Sequence, residues 1–292
     1  MPIPLPPVPA EQQRGPVQVS AEILAVRPVG AYRELTLSAP GVAAAAEPGH
    51  FITVGVGGQC SALVLRRALA LSAVGSGTVG VIVAAHGAGT QWIMQRQPGD
   101  VLDLIGPLGR PFPMPPPGEA ALLVAGGYGA APFIGLAQRL LAAGHPVGAI
   151  LGAATADRLC AVEELRGLTQ VLAVTTENGS AGRTGRVTDV LPELLPGAGA
   201  VYACGPMPML RAVAAQAAER RLPCQVSVEE AMACGIGVCM TCVLPVIGTD
   251  GLSRFVRSCV DGPVFDGSKV RFDDIGTLPE DLYGAAGMRA AQ

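Results

Sequence analysis

The chain is poor in aromatic side chains and in histidine. Aromatics make up 4% of its 292 residues, with a single tryptophan, and there are 3 histidines, His50, His86 and His145, spaced too far apart to form a sequence cluster. No acid–base triad is expected from them. Any core must be built from Ala, Val, Leu and Ile, which the 50% hydrophobic content supplies. Basic runs are missing and the net charge is −3, which argues against a nucleic-acid partner. No apolar stretch reaches about 18 residues without charge, Gly or Pro, so no membrane span is predicted. The opening MPIPLPPVPAEQQRGP lacks the basic start and apolar centre of a signal peptide and reads as a disordered, proline-rich arm over residues 1–16. The expected compartment is the cytoplasm. Thiols stay reduced there, so the 8 cysteines point away from a disulfide scaffold and toward metal ligation or simple burial.

Length suggests two or three compact units, since one core rarely grows past about 250 residues. Between residues 17 and 114, VQVSAEILAVRPV, YRELTLSAP, HFITVGV, ALVLRRALALSAV, GTVGVIVAAH and DVLDLIGPLG are short β-type runs separated by turn residues, the pattern of a small antiparallel barrel. PFPMPPPGEA (111–120) reads as a linker. Over 118–222 apolar runs alternate with helical segments, which predicts a parallel α/β sheet. Residues 223–272 are rich in cysteine and loops, and 273–292 read as a tail without a core. The fold class is thus a multidomain chain, α/β plus β: antiparallel barrel, parallel α/β domain, small C-terminal cysteine module.

That module holds Cys234-x4-Cys239-x2-Cys242 and, sixteen residues on, Cys259, the plant-type 2Fe-2S spacing. Three thiolates from one tight loop must aim at a small cluster while the fourth arrives from elsewhere. Gly235 and Gly237 let the loop backbone adopt φ > 0 and turn its amides toward sulfur. A structural zinc site draws on two Cys pairs or on His, whereas here the second half offers one Cys and no histidine follows His145. Unligated burial is the remaining alternative, and it is the reading for Cys60, Cys160 and Cys224.

VAGGYGAAP (124–132) follows an apolar run and opens a helix. Gly126, Gly127 and Gly129 permit close backbone approach to a pyrophosphate, or mere packing. YACGPMPML (202–210) ends another apolar run and is placed at the same carboxyl edge of the sheet, where ligands of open α/β sheets bind. TTENGSAGRTGRVTDVL (175–191) borders that crevice or is a surface loop. In the barrel, Arg66 and Arg67 sit in an apolar strand as solvated charges or as a phosphate clamp. GAGTQWI (87–93) is a glycine turn that leads into a helix and suits an anion.

Taken in order, RRALAL, GAGT, GPLG, the glycine turn, CGPMPML, EEAMACGIGVCMTC and SCVDGPVF resemble the electron-transfer subunits of NAD-dependent dihydroorotate dehydrogenases, within the ferredoxin–NADP reductase superfamily. The resemblance runs from about residue 17 to 272, and the cysteine loop and CVDGPVF are its most specific pieces. It implies FAD on the barrel, NAD on the α/β domain and a 2Fe-2S cluster on Cys234, Cys239, Cys242 and Cys259. Arg67, Ala68, Leu69 and Ala70 occupy the family's Arg-Pro-Ile-Ser flavin segment. Arg67 is then assigned to the FAD pyrophosphate, while the serine expected at the flavin ring is Ala70 here, with Ser72 or backbone groups as its substitutes. Gly89 and Thr90 match a Gly-Thr pair at the pyrophosphate. Ile82, Val83 and Ala84 stand where relatives carry an aromatic–Arg pair against the adenosine half. Ala125 and Tyr128 replace a Gly and an aliphatic residue of the usual glycine turn. Cys204, Gly205 and Pro206 are placed at the nicotinamide. GAATADRL (152–159) carries one arginine, Arg158, and no basic cluster for a 2′-phosphate, so NAD is expected over NADP.

The implied activity is an electron relay. A separate FMN-containing dihydroorotate dehydrogenase catalytic subunit oxidises dihydroorotate, and its electrons reach NAD+ through the cluster and FAD, in a heterotetramer of two catalytic and two electron-transfer subunits. The same module serving a hydrogenase or transhydrogenase is the alternative enzyme. A non-enzymatic iron–sulfur sensor or adaptor is the alternative of another class.

Overall fold

The structure is a computed structural model and describes residues 15–58 and 61–283. Most of the N-terminal arm, Cys60 and the end of the tail lie outside the described residues.

Six antiparallel strands close a barrel in the order β1-β2-β5-β4-β3-β6. They are β1 (Val17–Val29), β2 (Tyr32–Ser38), β3 (Phe51–Val54), β4 (Arg67–Val74), β5 (Thr78–Val83) and β6 (Val101–Leu108), with a short helix α1 (Pro40–Ala43) after β2 and α2 (Ala88–Met94) between β5 and β6. Alternation sets the faces: in β2, Leu35 and Leu37 point into the barrel core while Glu34 and Thr36 do not. Of the two adjacent arginines, Arg67 opens β4 and Arg66 stands just before it, and they have different partners. The Arg66 guanidinium bonds Asp103 Oδ2 at 2.6 Å and Thr53 Oγ1 at 3.1 Å, tying β4 to β3 and β6. Arg67 is left for other work.

The second sheet has seven strands in the order β10-β9-β8-β7-β11-β12-β15. These are β7 (Ala121–Gly126), β8 (Val147–Ala153), β9 (Val171–Thr176), β10 (Arg183–Thr184), β11 (Ala200–Cys204), β12 (Cys224–Ser227) and β15 (Val264–Asp266). All pair in parallel except β15, which runs antiparallel to β12. Helices α3 (Ala131–Ala142), α4 (Val162–Arg166), α5 (Val187–Leu194) and α6 (Met207–Glu219) cover it. The central strand β7 is buried along almost all of its length, as a strand covered on both faces must be. Phe133, Leu136, Ala137 and Leu140 of α3 recur at helical spacing and are wholly buried. In DRLCAVEELRG, one of the helical segments that follow the apolar runs, the chain turns at Ala161 (φ 59°) and only Val162–Arg166 is α-helical.

The segment 111–120 does more than link. Phe112 is 2% exposed and packs between Phe133 and Tyr202, with ring centroids 5.7 and 5.8 Å away, and the Tyr202 hydroxyl donates to the Pro113 carbonyl at 3.0 Å. One core cluster accordingly runs through barrel residues Tyr32, Ile82 and Ala84 into the α/β residues Leu123 and Phe133. After β12 come the cysteine loop and a hairpin of β13 (Val243–Ile247) and β14 (Ser253–Arg257). The chain past residue 272 returns to that hairpin: Arg271 bonds Asp274, Ser253 and Asp281.

Candidate functional site

Between β12 and β13 the chain has no regular structure, and its course is set by three left-handed residues, Gly235 (φ 71°), Gly237 (φ 82°) and Met240 (φ 58°). A Cβ on Gly235 would stand 2.5 Å from the Thr53 methyl, and one on Gly237 would stand 2.5 Å from Val260 Cγ2. The loop therefore lies tight against β3 on one side and against the Cys259 turn on the other. Arg257 donates to the Gly237 carbonyl at 2.7 Å and holds the two together.

The thiols are in no disulfide and lie as two pairs, Cys234 joined to Cys239 through the Cys239 amide and Cys242 packed with Cys259. Cys242 and Cys259 are each 2% exposed and pack with Phe51 and Leu108 of the barrel, whereas Cys239 is exposed. The outer pair collects donors: the amides of Val238 and Cys239 reach Cys234 Sγ at 3.3 and 3.5 Å, and the Thr241 hydroxyl reaches Cys239 Sγ at 3.1 Å. The Thr241 hydroxyl and amide hold the Cys239 thiol down at about 6. Burial opposes ionisation of Cys234, but the amides of Cys239, Ile236 and Val238 outweigh it and lower its pKa. Burial, followed by the neighbouring Cys242, pushes the Cys259 thiol up to about 12, and a metal that binds it displaces its proton.

A two-iron cluster needs four thiolates, two for each iron. Two thiol pairs on a loop with inward-turned amides fit that group. Among the described residues no group of three or more His, Cys, Asp or Glu side chains is placed to hold a single metal ion.

On β4, Ala68 and Ala70 are exposed and Leu69 is half-buried. Arg67 turns toward the α2 turn: its guanidinium donates to the Leu65 carbonyl at 2.6 Å, and a Cβ on Gly89 would meet Arg67 Nε at 2.3 Å. Thr90 closes that turn by accepting from the amides of His86 and Gly87 at 2.9 and 3.1 Å. Arg67, Gly89 and Thr90 are thus brought together beside the exposed Ala68–Ala70 strip, and they form a cradle that fits an anionic, flat ligand such as FAD. Ile82 and Ala84 lie in the core shared with the α/β sheet and Val83 in the barrel core, so none of the three presents an open side chain. Ser72 is 1% exposed, its hydroxyl has no partner, and it lies against Gly80 at the β4 bulge, not on the Ala68–Ala70 strip.

At the carboxyl edge of the large sheet, the two turns touch. A Cβ on Gly126 would meet Met209 and Pro206 at 2.9 Å, one on Gly129 would meet the Cys204 carbonyl at 2.4 Å, and Gly205 (φ 152°) approaches Gly126 N. The glycines Gly126, Gly129 and Gly205 serve that turn-to-turn contact, and Gly127 takes the left-handed φ of 57°. The Cys204 thiol is pushed up to about 12 by burial. Arg158 lies nearby in chain order after β8, and its carbonyl accepts from the Tyr32 hydroxyl at 3.1 Å. This edge, at the strand ends of β7 and β11, is where a dinucleotide fits.

A junction that no motif in the chain marks joins all three regions. The Tyr128 ring stands 5.7 Å from Tyr32 and 5.5 Å from His86, and its hydroxyl donates to Glu229, just ahead of the cysteine loop. The one local signal was Tyr128 itself, a large ring in a turn of small residues. Thr53 and Thr241 had none, since each matters only through a partner seen in three dimensions.

Comparison with known proteins follows the same divisions. Residues 123–215 match the family described as oxidoreductase NAD-binding domain, and residues 229–271 match the iron-sulfur cluster binding domain of dihydroorotate dehydrogenase B. The dihydroorotate dehydrogenase B (NAD(+)) electron transfer subunit of Bacillus caldolyticus is 40% identical over 241 residues, which is 81% of this chain and 91% of that one. The probable counterpart from Methanopyrus kandleri is 38% identical, over 82% and 86%. Among solved structures, one of the NADH-dependent reduced ferredoxin-NADP oxidoreductase, studied for flavin-based electron bifurcation, superposes with a TM-score of 0.78 at 29% identity, covering 94% of this chain and 99% of that chain.

Proposed function

The chain belongs to the family of dihydroorotate dehydrogenase B electron-transfer subunits, and from that premise we propose that it relays electrons from an FMN-containing, dihydroorotate-oxidising catalytic subunit to NAD+. When bound, a 2Fe-2S cluster supplies the single-electron step and FAD the conversion to two-electron hydride chemistry, which the protein positions but does not itself perform.

The observation that carries this reading is adjacency. Phe51 of β3 packs on Cys242 and Cys259, and the same Phe51 pairs in register with Ala70 of β4. Phe51 therefore bridges the two: its side chain packs on the inner thiol pair, and its backbone pairs with Ala70 on the neighbouring strand, about 4.8 Å away. Cys234, Cys239, Cys242 and Cys259 hold the cluster. Arg67, with the Gly89–Thr90 turn, holds the FAD pyrophosphate, and the strip beside it takes the flavin ring. Gly126, Gly127, Gly129, Cys204, Gly205 and Pro206 line the NAD edge. Ile82, Val83 and Ala84 contribute backbone only, since their side chains are buried.

The partner docks over the outer thiol pair. Ile236, Val238 and Met240 are 48%, 75% and 53% exposed around the exposed Cys239, an apolar rim that a catalytic subunit covers in a heterotetramer of two subunits of each kind. The complex works in the cytoplasm, where thiols stay reduced, and none of the seven described cysteines is in a disulfide. Among the described residues no helix is long and apolar enough to cross a membrane.

Mixed with a dihydroorotate dehydrogenase catalytic subunit, the flavin- and iron-loaded protein is expected to oxidise NADH in an orotate-dependent manner, faster than NADPH. Absence of that activity with every such subunit tried would overturn the choice of partner. A second reading, the same module serving a bifurcating or transhydrogenating partner, is favoured by the end-to-end superposition on the NADH-dependent ferredoxin-NADP oxidoreductase. Electron transfer to ferredoxin in place of orotate would select it. Pure protein that is colourless and contains zinc would sink both.

A further inference from the structure

We propose that the Thr241 hydroxyl sets the reduction potential of the iron–sulfur cluster by donating a hydrogen bond to Cys239. This rests on the reading of the four cysteines as a 2Fe-2S site. The bond is 3.1 Å from Thr241 Oγ1 to Cys239 Sγ, and among the described residues it is the one side-chain hydroxyl bonded to any of the four thiols. The other donors to the outer pair are main-chain amides, those of Val238 and Cys239 among them, which a side-chain change at Thr241 leaves in place.

Reduction adds one negative charge to a cluster whose outer edge is its thiolate sulfurs. A donor aimed at one of those sulfurs stabilises the reduced form more than the oxidised form, and so raises the potential. The surroundings strengthen the effect. Ile236, Val238 and Met240 flank the bond, and a partner seated on them excludes the water that otherwise competes for the sulfur. Thr241 stands directly before Cys242, so the residue that tunes the outer pair is covalently joined to the inner one. Thr241 is a positioning residue that acts through Cys239.

The test is a redox titration of the full-length protein carrying FAD and iron, followed by electron paramagnetic resonance of the reduced cluster. Thr241→Val keeps the shape and removes the donor, whereas Thr241→Ser keeps the donor. In T241V the ratio of reduced to oxidised cluster at a fixed poise is expected to fall about tenfold, a downward shift of about 59 mV for a one-electron couple. T241S is expected to titrate as wild type, and the flavin midpoint, read in the same samples, is expected to stay in place in both. A wild-type midpoint in T241V, or a midpoint in T241S displaced as far as in T241V, would overturn the proposal. So would a T241V that cannot hold its cluster while T241S can, because that makes the hydroxyl an assembly element. Wild-type protein with no paramagnetic signal after reduction would refute the cluster reading itself, an outcome distinct from any of these.

Discussion

Gly237 shows how much one missing side chain can matter. It combines a φ of 82° with a neighbour, Val260 Cγ2, standing 2.5 Å from where a Cβ would be. Gly237→Ala is expected to cost about 1–3 kcal/mol through backbone strain alone. It should also open the gap between the loop and Cys259, and iron content per chain together with the thermal midpoint would report both. His50 works through a proton. Its Nδ1 accepts from the Glu47 amide at 2.9 Å, and burial, then Arg139, lowers its pKa below the ordinary 6.5, against the pull of Glu47. The neutral form is favoured in the fold, so this contribution is complete above pH 6.5 and is lost as pH falls through the lower folded value. Denaturant unfolding at pH 7 and pH 5 should show a smaller loss for His50→Asn, which keeps an acceptor and does not titrate, than for wild type. The roles of Arg66 and Arg67 were indistinguishable in RRALAL, because only three-dimensional partners show that Asp103 and Thr53 occupy the first and leave the second beside Gly89.

Among the elements, β4 and the turn before α2 act as one unit. Arg67→Ala removes the charged donor and is expected to weaken FAD retention by about 1.5–3 kcal/mol, the worth of a hydrogen bond to a charged group. Gly89→Ala should reproduce the loss without touching the arginine, since its methyl would occupy the place of the guanidinium. Flavin-to-protein ratio after gel filtration measures both, and full retention in G89A would count against the cradle. Strand periodicity was easy to read here: all six barrel runs became strands, with β1 running from Val17 to Val29 as the alternation suggests. What periodicity did not disclose is that β15, beyond Cys259, pairs with β12 and joins the large sheet. A three-residue strand carries too little pattern to announce its partner.

For the molecule as a whole, the layout predicts that its two halves of chemistry separate. Cys239→Ser is expected to lose the cluster yet retain NADH-driven reduction of the flavin, because the nucleotide edge at Gly126 and Gly205 makes its contacts independently of the outer thiol pair. Stopped-flow bleaching of the flavin by NADH would check this, and loss of bleaching in a folded C239S would show the regions to be coupled. Val238→Asp places a charge in the apolar rim and is expected to abolish co-elution with the catalytic subunit at micromolar concentration, while leaving cluster content and flavin bleaching unchanged.

The sequence by itself determined everything that depends on near neighbours. It specified the ligand spacing of Cys234, Cys239 and Cys242, the period-two runs of the barrel, the strand–turn–helix rhythm of the α/β region and the glycines at its turns. These are short-range patterns, set by backbone geometry within a few residues. Only the tertiary structure decided which thiols pair, that Phe112 is a buried anchor inside an apparent linker, that Tyr128 meets His86 and Glu229, and that Gly235 seats the cysteine loop on Thr53 next to the strand of Ala70. Apart from the Cys234–Cys239 pair, those contacts join residues separated by one or more whole elements of the fold. They arise from how the packed layers meet, and no local period in the chain records that.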